Sequence, residues 1–441
     1  MRRFASLLSV GCAAFTIMAS ANGIVHAATI EKIIHNFANA TGKFPMTGPV
    51  VDTSTGAFYG TTWQGGANGD GVIYQLLPPT PPATKWTYSV IYNSPFAHTF
   101  LAATGGVVYV STDGIAVNAG GGGSNNCGVI ASLTPLGSAT GEWTETNLYS
   151  FKCVADGAFP KGPLTIDSQG ALYGTAYTGG THCAKFGGCG TVFKLAPAPT
   201  PGKPWIFSVL YHFQGGPAGQ APNDGVIFDN SGNLYGSAAF DYPSPKSLIF
   251  KLTPPSGGGE WTESVLSRFY PTSNCYSGGP LAIDANGALY GTFSAYGSPA
   301  YSACNDTKNE YVFQLAPSKS DPNVWTKTVI RTFTNSNLPG GYELPAPLTV
   351  DAGGNVYGAT LIGGTLGGGT AFVLKPRPGV SGKWNYTALF DFRVPSSKSP
   401  NPSATGSYPN GGLVLDSAGN LYGTTQAGGG GGRGAVFQLT P

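Results

Sequence analysis

The sequence predicts an all-β protein: a seven-bladed β-propeller of four-stranded blades, closed by an N-terminal strand that completes the last blade. Three observations carry this. The phrase LVLDSAGNLYGTT at 413–425 occurs, lightly edited, seven times. Aligned on its tyrosine, the copies stand at Tyr59, Tyr109, Tyr173, Tyr235, Tyr290, Tyr357 and Tyr422, a period that marks a propeller, solenoid or array. Each copy also carries four short segments rich in β-branched and aromatic residues, punctuated by Gly and Pro. A β-solenoid is the rival, but its coils are usually much shorter, and hairpin turns between successive strands do not suit it.

The elements follow in chain order. Arg2 and Arg3 precede an apolar stretch at 4–19, and Val25-His26-Ala27 supplies a small-x-Ala cleavage signal, so residues 1–27 read as a secretory signal peptide. Cys12 after Gly11 hints at lipoprotein processing, but Ser9 stands where an aliphatic residue belongs. Residues 28–441 then form one domain of seven repeats of about 59 residues. No later stretch has 18 consecutive apolar residues, so no membrane span is expected. A secreted or periplasmic monomer is the expectation.

Within a repeat, the third copy gives the four strands: 162–167, 171–175, 190–195 and 205–211. The Asp-x-x-Gly-Asn stretch between the first two is a tight turn, in which the Asp side chain accepts backbone N–H bonds. Asp52, Asp167, Asp229, Asp284, Asp351 and Asp416 fill the aspartate position. Six carboxylates so placed could be a ring of ligands, but a repeated turn cap is the plainer expectation. The second copy uses a shorter Thr104-Gly105-Gly106 turn, as a two-residue hairpin would. Trp86, Trp143, Trp205, Trp261, Trp325 and Trp384 each open a fourth strand. The seventh copy lacks one, while residues 29–37 match the fourth strand at 144–151. The N-terminal strand is therefore expected beside Phe437, which removes an open sheet edge.

Composition agrees with this reading. Only 10% of the 441 residues are charged, against about 25% in typical globular chains. Gly (67) and Pro (35) are abundant, but a regular period and 12% aromatic residues point to a turn-rich β protein rather than disorder. A net charge of +2 without a basic cluster excludes an electrostatic footprint for nucleic acid.

Besides Cys12 there are six cysteines, Cys127, Cys153, Cys183, Cys189, Cys275 and Cys304, an even number that suggests disulfides with fifteen possible connectivities. Cys183–Cys189 is the most local pairing, Cys275–Cys304 and Cys127–Cys153 follow, and Cys153–Cys183 is nearly as plausible. No CxxC-type spacing is present, so neither metal nor cofactor is expected.

The pattern Gly-Gly-x-Gly-x-Val-Phe-x-Leu-x-Pro, Gly-x-Trp, Val-Leu-Tyr-x-Phe and Leu-x-x-Asp-x-x-Gly-Asn-Leu-Tyr-Gly-Thr-Thr resembles the Gloeobacter/Verrucomicrobia ("GloVer", choice-of-anchor) tandem repeat of exported bacterial proteins. The likeness covers almost the whole chain after the leader. It implies an extracytoplasmic propeller and brings no catalytic residues with it. Members often end in a sorting or anchoring segment, whereas this chain ends on a strand-like Phe437-Gln438-Leu439.

Function is expected on one face. The Asp-x-x-Gly turns lie on the lower face, and the Gly-rich loops after Tyr-Gly-Thr lie on the upper, with all six cysteines in or beside upper loops. Loops held on a rigid scaffold are where ligands bind. Four residues beyond each repeat tyrosine stand Trp63, Asp113, Tyr177, Ala239, Ser294, Leu361 and Gln426, a position that varies between copies. Trp63 is the one tryptophan outside the repeat positions. Trp63 and Tyr177, with Tyr242 and Tyr296 nearby in sequence, are candidates for stacking on a sugar ring, although loop packing would serve aromatics equally. The expected partner is a carbohydrate or a cell-surface protein. The alternative is a secreted lyase or hydrolase using His182 with Asp113 or Asp241 as acid and base. His35 and His212 look structural, at matching positions in fourth strands. No Gly-x-Ser-x-Gly elbow, HExxH or phosphate loop occurs.

Overall fold

The computed structural model describes residues 25–26, 30–45, 47–93, 99–112, 123, 125–137, 141–183, 187–240, 246–257, 259–270, 279–293, 310–333, 347–380, 382–394 and 405–440. The chain is a seven-bladed β-propeller of antiparallel four-stranded blades. Blade 3 sets the pattern: Ala158–Ile166, Leu172–Thr178, Thr191–Ala196 and Ile206–His212 pair in that order. Inner strands of neighbouring blades touch around the axis. Blade 7 takes its outer strand from the other end of the chain. Ile30–Asn36 pairs antiparallel with Ala435–Thr440, Ile33 opposite Phe437. The closure expected from the sequence is therefore present. Val25–His26 adds a short parallel strand to the outer edge of blade 6, opposite Thr387 and Ala388.

The repeated phrase is now explained residue by residue. In blade 7, Asp416 Oδ1 accepts the N–H groups of Ala418 (2.9 Å) and Asn420 (2.8 Å). Its Oδ2 accepts from Asn420 Nδ2 (2.8 Å) and the Tyr422 hydroxyl (2.9 Å). Asp229 and Asp351 repeat all four bonds. Burial works against the charged form of Asp229, Asp351 and Asp416, but these hydrogen bonds outweigh it and hold all three below the usual carboxylate range. The aspartates are turn caps. In blade 2 the cap is absent: Thr104 pairs with Val107 across a two-residue turn. The neighbouring Asp52 reaches over and accepts the Gly106 N–H (2.7 Å).

The glycine of Tyr-Gly-Thr makes room for a ring. A Cβ on Gly423 would stand 2.5 Å from Phe437 Cζ, and one on Gly236 would stand 2.6 Å from Phe250 Cζ. The threonine ties blades together: Thr424 Oγ1 donates to the Thr47 carbonyl of blade 1 (2.9 Å), and Thr175 Oγ1 to the Asp224 carbonyl of blade 4 (2.8 Å). Blade 1 breaks the pattern with Tyr74 where the other blades described above place Phe. The ring fills the same space, but its hydroxyl is buried without a hydrogen-bond partner. Removing an unsatisfied buried hydroxyl relieves a desolvation penalty, so Tyr74→Phe is expected to raise unfolding stability by about 1 kcal/mol, read as a shift in denaturant midpoint.

Five of the outer seams are closed by side-chain pairs at equivalent positions, through three kinds of contact. Blades 7 and 1 stack His35 on Tyr88 (centroids 3.6 Å apart), and blades 2 and 3 stack Tyr149 on Phe207 (3.9 Å). Blades 1 and 2 join Tyr92 to Glu145 (2.6 Å), and blades 3 and 4 join Tyr211 to Glu263 (2.8 Å), each through a phenol donating to a carboxylate. Blades 5 and 6 place the Arg331 guanidinium 4.4 Å over Tyr386. The expectation that His35 and His212 share a register needs correction. His35 faces Val436 while His212 faces Thr191, so His35 matches Tyr211 and His212 is one residue further on. Both outer strands bulge at the same point, so the offset lies in the sequence itself: His35 stands two residues before Phe37, as Tyr211 stands two before Phe213.

Candidate functional site

The site is assembled where inner strands begin and second strands end, on the upper face. In four repeats an X-Pro pair stands eight residues ahead of the turn aspartate: Phe44-Pro45, Phe159-Pro160, Ala221-Pro222 and Tyr408-Pro409. In each, the residue before proline adopts positive φ, at 57°, 56°, 49° and 59° respectively. That region costs a residue with a side chain about 1–2 kcal/mol, and its recurrence with bulky aromatics shows the surroundings enforcing it.

The enforcement comes from the preceding blade. The N–H of Phe44 donates to the Arg433 carbonyl (2.9 Å), that of Phe159 to Cys127 (2.8 Å) and that of Ala221 to Cys189 (2.7 Å). Each accepting residue precedes a glycine against which the proline ring packs. A Cβ on Gly434 would lie 2.7 Å from Pro45 Cδ, and one on Gly128 would lie 2.3 Å from Pro160 Cδ. Proline and strained neighbour thus latch one blade to the next.

Disulfides brace two of these latches. Cys127 pairs with Cys153 and Cys183 with Cys189, two of the pairings expected from the sequence. The rival Cys153–Cys183 is excluded, since both residues are taken locally. Cys275 and Cys304 lie outside the described residues.

Strand register sets the strained residues opposite the variable position. Lys43 pairs with Gln64 and Pro45 with Thr62, so Phe44 faces Trp63. Phe159 faces Tyr177, and Tyr408 faces Gln426. The upper rim therefore carries cross-strand aromatic pairs in blades 1 and 3. Trp63 is 46% exposed, the most open tryptophan among the described residues. Lysines attend both pairs: Lys43 Nζ stands 5.8 Å from the Phe44 ring centroid, and Lys161 Nζ 4.4 Å from that of Tyr177. The sequence reading found Trp63 and Tyr177 but missed Phe44, Phe159 and Tyr408. The X-Pro pair at a constant offset was the available signal.

Against Thr175 and Gly162, where blades 3 and 4 meet, lies Asp224. Its Oδ2 accepts from Ser237 Oγ (2.8 Å). Burial pushes its carboxyl up to about 7, outweighing both that bond and the Lys161 charge.

Of the proposed acid–base set, the described residues include His182 alone. His182 is exposed, with Nδ1 3.2 Å from Thr181 Oγ1. Asp113, Asp241, Tyr242 and Tyr296 lie outside the described residues. No group of three or more His, Cys, Asp or Glu side chains suited to a metal occurs among the described residues. No described helix is long and apolar enough to cross a membrane.

The lower end of the axis holds a cavity of about 740 Å³ walled by Val50, Val350, Val414 and Leu415. Asp351 and Asp416 reach its rim, but their oxygens are occupied by the turns they cap.

The sequence profile of the Gloeobacter/Verrucomicrobia repeat matches residues 14–182 and 83–305. No curated protein matches the chain. Among solved structures, the chain is similar to a polysaccharide lyase, an ulvan lyase bound to -[GlcA(1-4)Rha3S]-. The identity is 9% over 90% of this chain and 94% of that one, with a TM-score of 0.50. It is also similar to a Xanthomonas campestris gluconolactonase, at 12% identity over 93% of this chain and 89% of that one and a TM-score of 0.39. The calcium-binding protein regucalcin of Agrobacterium tumefaciens is 12% identical over 78% and 90%, with a TM-score of 0.42. The lyase overlay bears on the fold alone, and the other two carry no argument.

Proposed function

This chain belongs to the Gloeobacter/Verrucomicrobia repeat family, and from that premise we propose that it is an exported binding protein that recognises a carbohydrate through the upper mouth of its ring. The observation that carries the reading is the aromatic rim, above all Trp63 exposed opposite the strained Phe44. Flat aromatic faces bind the apolar face of a sugar with little loss of conformational freedom. Positive φ at bulky residues is kept only where something over-determines it, and here it fixes aromatics at the rim. Export is supported by the leader-like residues 1–27 and by two disulfides, which persist in oxidising compartments.

A glycan array with the chain from residue 28 onward tests this. Saturable binding is expected, with Trp63→Ala weakening it roughly tenfold, the scale of a lost stacking contact, while the thermal midpoint stays unchanged. Binding with release of a shortened product would instead indicate a lyase or hydrolase. Absence of binding to any glycan would overturn the reading and turn the search to a surface protein.

A further inference from the structure

We propose that the junction of blades 3 and 4 at the upper mouth is a subsite for an acidic sugar, whose carboxylate or sulfate is held by Lys161 and Asp224 beside Tyr177. The inference rests on the carbohydrate reading and narrows it.

Geometry brings the three residues together. Thr175 Oγ1 contacts the carbonyl oxygens of both Lys161 (3.0 Å) and Asp224 (2.8 Å), so the two backbones are adjacent across the junction. A Cβ on Gly162 would meet the Asp224 Cα at 2.9 Å, which places the inner strands in direct contact. The Lys161 ammonium lies over the Tyr177 ring. Tyr177 in turn faces Phe159, one of the residues held at positive φ. An independent backbone feature thus aims at the same spot as the charged cluster.

The charge balance favours an anion. Lys161 is half-buried and makes no ion pair among the described residues. Its natural neutraliser is Asp224, and a buried carboxylate firmly paired with a lysine would sit below its ordinary range. Asp224 behaves in the opposite way, taking up a proton near neutrality because burial dominates. The groups facing it are the Ser237 hydroxyl, which donates to Oδ2, and the Lys161 ammonium. The junction therefore carries a net positive charge in a poorly solvated place, which an incoming anion offsets through a charge-assisted hydrogen bond. A protonated Asp224 can donate to the same anion. An ionised one repels it.

The test compares three oligosaccharide probes by calorimetry: oligogalacturonate, carrying carboxylates; a sulfated galactan oligomer; and the uncharged galactan. At least one acidic probe is expected to bind ten or more times tighter than the uncharged one, and which one does so separates carboxylate from sulfate. Lys161→Gln is expected to remove that preference, with Lys161→Arg restoring part of it. Above about pH 7 the wild-type affinity for the acidic probe is expected to weaken with each pH unit, by up to tenfold. Asp224→Asn should flatten this dependence while keeping the binding. Lys194→Gln serves as control, because that ammonium pairs with the turn aspartate Asp167 at 3.7 Å on the lower face. Equal affinity for acidic and uncharged probes, or an unchanged Lys161→Gln, would overturn the acidic subsite and leave a Trp63-dependent carbohydrate site standing. No binding to any probe by wild type would overturn both.

Discussion

A chain that lacks residues 28–36 is expected to melt at least 10 °C below the protein that retains them, or to aggregate on expression. Those residues supply the outer strand of blade 7, paired along the C-terminal strand from Ile30 opposite Thr440 to Asn36 opposite Ala435. Ile33 packs against the core shared by blades 6 and 7, Ile34 against that shared by blades 7 and 1, and His35 stacks on Tyr88. Two half-buried aliphatic side chains at about 1–2 kcal/mol each, with the stacked pair, come to roughly 3–4 kcal/mol. That is a large share of the 5–15 kcal/mol that holds a typical fold together. Loss of the strand also bares the edge of Ala435–Thr440, an invitation to intermolecular pairing. A synthetic peptide of residues 28–37 added in trans should recover part of the lost midpoint. A truncated chain that melts with the full-length protein would show that the ring does not depend on this closure.

The second large effect is a pH dependence hidden on that same strand by two opposed titrations, which single substitutions unmask. His35 is buried against Tyr88 and Phe37 with Nε2 unpartnered, and burial lowers its pKa to about 4. Its folded form binds a proton less readily than the unfolded chain, so stability is full above about 6.5 and is lost as pH falls towards 4. Glu31 behaves oppositely. Burial raises it to about 7, only partly offset by the Gly406 N–H that donates to Oε1 (3.2 Å). Its folded form holds a proton more tightly than the unfolded chain, so stability is full below about 4.5 and is lost as pH rises through 7. Allowing for partial exposure, each arm amounts to about 2–3 kcal/mol. The two slopes oppose each other and nearly cancel between about pH 4.5 and 6.5, so the wild-type strand should hold almost evenly across this range, to within about 1 kcal/mol. Denaturation midpoints across pH 4–9 are expected to be nearly level for wild type, whereas Glu31→Gln loses about 2–3 kcal/mol as pH falls from 6.5 to 4 and His35→Phe loses as much as pH rises from 4.5 to 7. The phenyl ring is a fair substitute, because the equivalent seam stacks Tyr149 on Phe207. Wild-type-like profiles in both variants would remove the strand as the source.

Much of the architecture was legible because repetition multiplies a weak signal. One Asp-x-x-Gly-Asn-x-Tyr-Gly-Thr stretch is an ordinary turn, whereas seven related copies, six of them with the aspartate, fix strand order, blade count and the role of that residue. The N-terminal match to a fourth strand fixed the closure. The site was less legible for a physical reason. Sequence spacing shows which residue varies, and so exposed Trp63 and Tyr177, but it does not show backbone handedness. Phe44, Phe159 and Tyr408 look like unremarkable residues before proline until their φ values are known. Asp224 escaped notice because nothing local marks it. Its environment is made by Lys161 and Ser237, which stand far from it in sequence or on another strand.

The unlike seams have a consequence for how such a ring keeps its order. Seven nearly interchangeable modules could assemble in the wrong sequence or trade places between molecules. The five seams described above, however, divide among three pairing chemistries: stacked rings, a phenol on a carboxylate, or a guanidinium over a ring. Moving blade 4 behind blade 2 would set the Glu263 carboxylate against Tyr149, whose hydroxyl is already given to Asp156 (2.7 Å), and so leave it without the donor that Tyr211 supplies. Putting blade 1 behind blade 5 would bring Arg331 over Tyr88, a tolerable match. The chain thus carries a partial address code written across its outer wall, strict at some junctions and permissive at others, and duplication or shuffling of blades should succeed only at the permissive ones.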